Sequence, residues 1–403
     1  MAVAAIGIDD RAITLGARQH TCITPASAST TLVNVTDETL EYARSLAVTN
    51  RSMSARRIWG HVEERIDERF NGSHVLVVRP TKNSVMRAVK LIRNEEIAGD
   101  VIEKVKLPDY YFMSADDKRR FLNVVFQYPL PSDEIDDKLH TILGWGHPEL
   151  ISLLRRSQIH VFIDGTFFCV PKGFSQCIVI MIYDDDTDLY VPVMFFLVDN
   201  KKQWTYWHVI HCLFVLTEAN LDPASFTTDF ELALVKAISE QFKGVKQYGC
   251  SFHFKQSLRR HLQQLHIAPE KISTAMRPGM LDALRTTPKK KLRKLMSELS
   301  AKLSSEEDAE SWNKFFRYVQ DAWIEGPIPF DVWNVSADFN ANEARLCATN
   351  NAPECFNRQL NSAFPTPRPN IFQLIEAIRN QSTMKVRERK DILERGGRRP
   401  CRD

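Results

Sequence analysis

Residues 159–168 read IHVFIDGTFF, an apolar run that ends at a carboxylate and a glycine. Two further apolar runs follow, SQCIVIMIYDD (175–185) and LYVPVMFFLVD (189–199), separated by the acidic turn Asp184–Asp188. Short runs rich in Val, Ile and Phe, joined by a polar turn, predict antiparallel strands in hairpins. QWTYWHVIHCLFVLTEA (203–219) is too long and continuous for a strand and predicts a buried helix. SFTTDFE (225–231) predicts a short strand ending at a second carboxylate, and ELALVKAISEQF (231–242) a helix. KQYGCSFHF (246–254) predicts a last short strand, running into the basic helix KQSLRRHLQQL (255–265).

The predicted order is β-β-β-α-β-α-β-α. Three meandering strands followed by alternating α/β units is the topology of the ribonuclease H fold, so the expectation is an α/β core with a mixed five-stranded sheet flanked by helices. Residues 267–345 read as a helical insertion, with the charge run KKKLRKL (289–295) and the aromatics Trp312, Phe315, Phe316, Tyr318 and Trp323. NNAPECFNRQLN (350–361) follows the insertion and closes a core expected over 155–365. IFQLIEAIRNQSTMKVRERKDILER (371–395) predicts a last helix, so 366–403 is expected as a C-terminal helix with a basic, flexible tail.

Upstream, residues 1–50 are rich in Thr, Ser and Ala without a clear period and predict a poorly ordered lead-in. Residues 54–72 predict a charged helix with Ile58, Val62, Ile66 and Phe70 spaced by four. A strand over Val75–Val78 and a helix carrying Val85, Val89 and Ile92 complete an α-rich accessory region over 51–150. The acidic, proline-containing stretch Pro129–Asp137 predicts a linker.

The 403 residues carry a net charge of +3, with 44% hydrophobic and 26% charged residues, an ordinary globular composition. The eight cysteines form no CxxC pair, and the first residues lack a charged-then-apolar leader. No apolar run approaches the roughly 18 residues of a membrane span. The expectation is a reducing, intracellular, soluble protein with no membrane partner.

Asp164 and Asp229 each end an apolar strand, and burying a bare carboxylate is costly. In the predicted topology their strands are neighbours, which brings both carboxylates to one place. Like charges there repel unless a cation bridges them, and oxygen-only ligation suits Mg²⁺ or Mn²⁺. A two-metal site is matched to phosphodiester chemistry. Against this stands a local role, since Asp229 precedes a helix and an N-cap competes for it.

The succession DGTF, VPVMFFLVDNKKQWTYWHVI, FTTDFELALVKAI and GCSFHFKQSLRR resembles the central transposase domain of the Mutator-like (MULE) family, a DDE-type transposase domain, over residues 158–365. The resemblance implies a triad of two aspartates and a glutamate, the glutamate following a helical insertion. Asp164 and Asp229 match the aspartates. ATNNAPECFNRQLN (348–361) resembles the element after the insertion and makes Glu354 the third member, on a helix beginning just after Pro353. The arginine that often precedes this element is here Ala348, with Arg345 four residues before Thr349; Glu231 and Glu343 are the competing carboxylates.

Cys250 and His253 form a C-x2-H pair that the family also carries. Structural zinc needs four ligands, and His261, His266 or Cys347 would have to complete the set. Zinc is the less favoured reading, behind a buried Cys beside a His that bonds locally or to DNA. Basic residues cluster at Lys255, Arg259 and Arg260, at Lys289, Lys290, Lys291, Arg293 and Lys294, and in the tail at Arg387, Arg389, Lys390, Arg395, Arg398 and Arg399. Lys201 and Lys202 follow the third strand as phosphate contacts near the site. Such clusters predict salt-dependent, sequence-independent DNA affinity, or simply a solvated helix face. Trp204, Tyr206 and Trp207 are expected as helix core.

Residues 1–150 hold one cysteine, Cys22, so the zinc-finger modules of related transposases are not expected there. The resemblance implies metal-dependent DNA cleavage and strand transfer in the nucleus, with transposon ends and target DNA as partners and a homodimer or larger synaptic multimer. The alternative is a truncated or domesticated, catalytically silent DNA-binding regulator. A nuclease of this fold without strand transfer is a further rival, disfavoured by the long insertion.

Overall fold

A computed structural model of the chain describes residues 32–51, 53–73, 75–97, 99–130, 139–337 and 351–395. Contacts divide the chain into one unit of residues 1–46 and 55–90 and a second of 47–54 and 91–403.

In the first unit, β1 (Leu32–Asn34) pairs in parallel with β2 (Leu76–Val78). The helices are α1 (Thr36–Thr49) up to Leu46, α2 (Ala55–Phe70) and the first half of α3 (Lys82–Ile97). Of the four-residue series in α2, Ile58, Val62 and Ile66 are buried and Phe70 is half-buried; of the α3 series, Val85 and Val89 are buried and Ile92 is half-buried. The lead-in expected over 1–50 does not hold for 32–49. There Val35 and Ala43 of this unit are buried, as is Ala47 at the start of the second, small residues that composition alone did not signal. Residues 1–31, with Cys22, lie outside the described residues.

The second unit is built on a seven-stranded sheet of order β3-β4-β7-β6-β5-β8-β9. The strands are β3 (Leu122–Tyr128), β4 (His140–Trp145), β5 (Ser157–Thr166), β6 (Gln176–Asp184), β7 (Leu189–Val198), β8 (Asp222–Thr228) and β9 (Lys246–Gly249). β5, β6 and β7 form the antiparallel meander; β8 runs parallel to β5, and β9 parallel to β8. The expected five strands are thus present in the expected order. The sheet is wider by two, because β3 and β4 pair with each other and β4 adds to β7. Both fall in the stretch expected as the accessory region; LNVVFQY and HTILGW are short, and β3 has one exposed stretch that obscures its pattern. Of the expected linker, Pro129 and Leu130 are described, and 131–137 lie outside the described residues.

All nine residues of β6 are buried, which is why the central runs read as continuously apolar rather than alternating. The pleat still sorts them. Val161, Ile163, Ile178 and Ile180 pack with Val209, Ile210 and Leu213 of α4 (Gln203–Leu216) and with Leu234 and Ile238 of α5 (Leu232–Gln241). Phe162, Cys177, Val179 and Met181 face the opposite way, onto Phe356 and Leu360 of α9 (Asn351–Ser362) and Phe372 and Ile375 of α10 (Ile371–Arg395). Pro192 in β7 falls at the register shift opposite Ile180 and Met181, beyond the last pair with β4, where a missing N–H costs no ladder bond on that side.

A third core belongs to the helical insertion. Phe254, Leu258 and Leu262 of α6 (Ser251–Gln264) pack with Leu292 and Leu299 of α7 (Lys289–Leu303), Trp312, Phe315 and Phe316 of α8 (Ala309–Tyr318), and Trp323 and Trp333. Residues 338–350, including Glu343, Arg345, Cys347 and Ala348, lie outside the described residues, as do 396–403 with Arg398 and Arg399. The last helix spans the expected residues, with α10 helical through Arg395. Arg389 Nε donates to the buried Asp184 Oδ2 at 2.6 Å, Arg156 Nη1 donates to Oδ1 of the same carboxylate at 2.6 Å, and Lys390 pairs with Glu149 at 2.9 Å. Among the described residues no helix is long and apolar enough to cross a membrane.

Candidate active site

Asp164 is not the last residue of its strand; β5 runs on through Gly165 and Thr166, which pair with Ile178 and Cys177. Alternation gives Asp164 the face of Phe162, the side covered by α9. It is 6% exposed. Asn357 Nδ2 of α9 donates to Asp164 Oδ2 at 2.5 Å, and one turn on Asn361 Nδ2 donates to Thr166 Oγ1 at 3.1 Å. Burial first, then the negative charges of Asp229 and Glu354, push the Asp164 carboxyl up to about 7; the Asn357 bond pulls the other way.

The ladder between β5 and β8 ends at Phe162↔Thr227. Asp164 and Asp229 therefore each stand two residues past the same rung, on adjacent chains. Asp229 Oδ1 accepts from the Glu231 backbone N–H at 3.0 Å, so the competing turn-capping role is real for that oxygen, although Glu231 itself is the cap residue of α5. On the next strand, Cys250 follows β9, and its N–H donates to Thr228 O at 2.8 Å. Asp164 near the end of β5, Asp229 just after β8 and Cys250 just after β9 thus lie on three neighbouring chain segments.

Glu354 comes from the first turn of α9, which starts at Asn351, two residues before Pro353 rather than after it. Its Oε1 accepts from Cys250 Sγ at 3.8 Å, and burial pushes its carboxyl up. Asp164, Glu354, His253, Asn357 and Arg358 line one cleft of about 460 Å³. Asp229, Glu231, His253, Arg260, Tyr318 and Trp323 line a second of about 620 Å³, and His253 and Gln256 belong to both.

The donor chemistry fits a hard divalent cation. Asp164, Glu354 and Asn357 line one cleft, and the Oδ1 of Asn357 is buried without a hydrogen-bond partner. Oxygen donors of this kind are the set that Mg²⁺ or Mn²⁺ takes. Glu231, the rival carboxylate, lies in the other cleft with Lys201 Nζ 3.8 Å away, and burial raises it.

The C-x2-H pair stands at the end of β9 and the start of α6. His253 Nδ1 is buried with no hydrogen-bond partner. His261 stacks on Tyr318 at 3.8 Å and His266 is exposed, so neither completes a zinc set among the described residues; Cys347 lies outside them. The third donor beside the pair is Glu354: ligand atoms of Cys250, His253 and Glu354 all lie within 4.8 Å of one another.

Of the basic residues, Lys201 sits over the Phe167 ring at 4.3 Å, at the rim of the first cleft. Lys202 is the cap residue of α4, its N–H on Asn200 Oδ1. Lys255 lies 3.9 Å from Asp282, Arg259 is exposed, and Arg260 lines the second cleft. Lys289, Lys290, Lys291 and Arg293 are exposed on α7 and line neither cleft. Tyr206 is core, donating to Gln176 Oε1 at 2.9 Å, whereas Trp204 is 47% exposed.

Two supports were not foreseen. Asn357 and Asn361 form with Glu354 an i, i+3, i+7 polar stripe on α9, a signal readable in NNAPECFNRQLN. Arg285, 3% exposed, donates from Nη2 to Gly249 O at 2.7 Å and from Nε to Trp333 O at 2.8 Å, tying the insertion to the end of β9. Nothing in its sequence surroundings distinguishes it from the exposed arginines.

Residues 160–257 match the family model described as MULE transposase domain. The match begins in β5 and ends in α6, and so contains Asp164, Asp229, Cys250 and His253 but not Glu354. A comparison with curated proteins gives no match.

Proposed function

We propose, from a chain that carries the transposase domain of the Mutator-like (MULE) family, that it is a DDE-type polynucleotidyl transferase acting on DNA through Asp164, Asp229 and Glu354. The reading takes the core as ribonuclease-H-like, supported by the order β7-β6-β5-β8-β9 with an antiparallel meander and two parallel strands. The observation that carries it is geometric: Asp164 and Asp229 stand two residues past one rung of adjacent strands, and Glu354, 190 positions from Asp164, lines the Asp164 cleft from the first turn of α9.

Mg²⁺ or Mn²⁺ held by the three carboxylates would supply charge neutralisation for the attacking and leaving oxygens of a phosphodiester. The protein's own part is positional. Asn357 fixes the Asp164 carboxylate and favours its ionised form. The turn at Glu231 fixes Asp229, and α9 carries Glu354 and Asn357 together. Gly165 leaves room for the buried Gln176 side chain, whose Nε2 a β-carbon there would meet at 1.6 Å. Lys201 at the cleft rim and the exposed bases of α6 and α7 are the proposed phosphate contacts. The partners are transposon ends and target DNA, and the place of action is the nucleus.

The test is nicking and strand transfer on end-containing DNA with Mg²⁺ or Mn²⁺, comparing wild type with Asp164→Asn, Asp229→Asn and Glu354→Gln. Metal-dependent cleavage lost in all three variants is expected. A folded wild type that binds DNA and cleaves none would make the protein a catalytically silent DNA-binding descendant. Survival of activity in Glu354→Gln alone would move the third role to another carboxylate, Glu231 first.

A further inference from the structure

Cys250, His253 and Glu354 reach one point from two elements, the start of α6 and the first turn of α9. Their ligand atoms lie within 4.8 Å of one another. A tetrahedral cation with ordinary zinc–sulfur and zinc–oxygen lengths sets its sulfur and oxygen donors about 3.6 Å apart. Cys250 Sγ and Glu354 Oε1 are already 3.8 Å apart. A thiolate, an imidazole and a carboxylate form a mixed donor set, softer than the all-oxygen set around Asp164. His253 also has a buried Nδ1 that lacks a hydrogen-bond partner. Three protein donors leave the fourth position of a tetrahedral ion open to water or a ligand.

We propose that Cys250, His253 and Glu354 bind a borderline-soft divalent cation, Zn²⁺ foremost, and that this site shares Glu354 with the hard-metal site, so that Zn²⁺ bound there opposes Mg²⁺ or Mn²⁺. The binding site stands on its own geometry; only the opposition rests on the three-carboxylate reading. Glu354 serves as the switch point because it lines the cleft of Asp164 while contacting Cys250.

The experiment is a titration of the full-length protein with Co²⁺, followed by absorption, in wild type, Cys250→Ser, His253→Ala and Asp164→Asn. Wild type and Asp164→Asn give a thiolate-to-cobalt charge-transfer band that one equivalent of Zn²⁺ abolishes. Cys250→Ser loses the band, and His253→Ala weakens binding at least tenfold. A wild type without the band, or a band that persists in Cys250→Ser, overturns the site. Mn²⁺ binding, read by electron paramagnetic resonance, tests the opposition. One equivalent of Zn²⁺ weakens it at least tenfold in wild type and not in Cys250→Ser. Undiminished Mn²⁺ binding with Zn²⁺ in place refutes the sharing of Glu354. No Mn²⁺ binding under any condition refutes the acid triad and leaves the cobalt result to stand or fall alone.

Discussion

Asn357 Nδ2 donates to Asp164 Oδ2 across 193 positions of sequence, and through that bond α9 holds the carboxylate whose cleft its own Glu354 lines. Both partners are buried, so the bond is worth more than a surface contact and favours the ionised carboxylate against its surroundings. Asn357→Ala removes the donor. With the carboxyl already pushed up to about 7, proton competition against metal rises further. The Mn²⁺ affinity of wild type falls as pH drops through that value, and in Asn357→Ala the same fall comes roughly one unit higher, from a charged hydrogen bond of about 1.5 kcal/mol. Mn²⁺ titration at a series of pH values reads this, and superimposable profiles would remove Asn357 from its positioning role.

The same crowding carries a cost in stability. The folded protein keeps the Asp164 proton up to about 7, whereas an ordinary aspartate releases it near 3.8. Between those values the folded state binds more protons than the unfolded one, so stability declines as pH rises through the window. The full shift corresponds to on the order of 4 kcal/mol, an upper bound. In the presence of chelator, Asp164→Asn is therefore more stable than wild type above the window, by about 1–3 kcal/mol, and equal to it below. Urea unfolding at both ends of the window checks this, and a variant less stable at high pH would contradict the crowding.

Which parts of this were legible beforehand follows from where the forces act. The β5–β9 core was readable because each strand's burial is written locally, in runs such as CIVIMI and VMFFLV. The first carboxylate pair was readable too, since the β5–β8 pairing follows from element order and places Asp164 and Asp229 past one rung. β3 and β4 were missed because an added outer pair shows its pattern only against the strand it joins. α1 was missed because its buried face consists of residues as slight as Ala43 and Ala47. The bonds of Arg285 and the Asn357–Asp164 bond are long-range polar contacts: the polar stripe on α9 was readable, but not the partners that such groups meet.

Arg285 supports the insertion from inside. Its guanidinium is held down to about 10 by burial, yet it satisfies the carbonyls of Gly249 and Trp333. Arg285→Met keeps much of the volume but leaves both acceptors unpaired, at a cost of about 2–4 kcal/mol. Arg285→Lys recovers only part of this, because an ammonium cannot fork to two acceptors as a guanidinium does. Chemical denaturation of the three proteins should rank wild type above Lys above Met. Equal midpoints would mean that Asn334, whose Nδ2 bridges Leu284 O and Thr287 O, holds that junction without the arginine.

The exposed run on α7 is the most open of the basic clusters. Lys289, Lys290, Lys291 and Arg293 occupy the first turns of a helix whose positive dipole end they crowd, an arrangement that weakens the isolated helix. Leu292 and Leu299 bury the other face and hold it in place. Phosphates would relieve that local excess of positive charge. Replacing all four by Gln is expected to weaken duplex binding and to flatten the slope of log affinity against log salt by about 0.9 for each phosphate no longer neutralised. The same substitution should leave Mn²⁺ binding unaltered, because none of the four lines either cleft. Fluorescence anisotropy at several salt concentrations separates the cases: a flattened slope assigns α7 to the DNA path, and an unchanged one makes the run a solvated face and transfers the phosphate-binding role to α6 and Lys201.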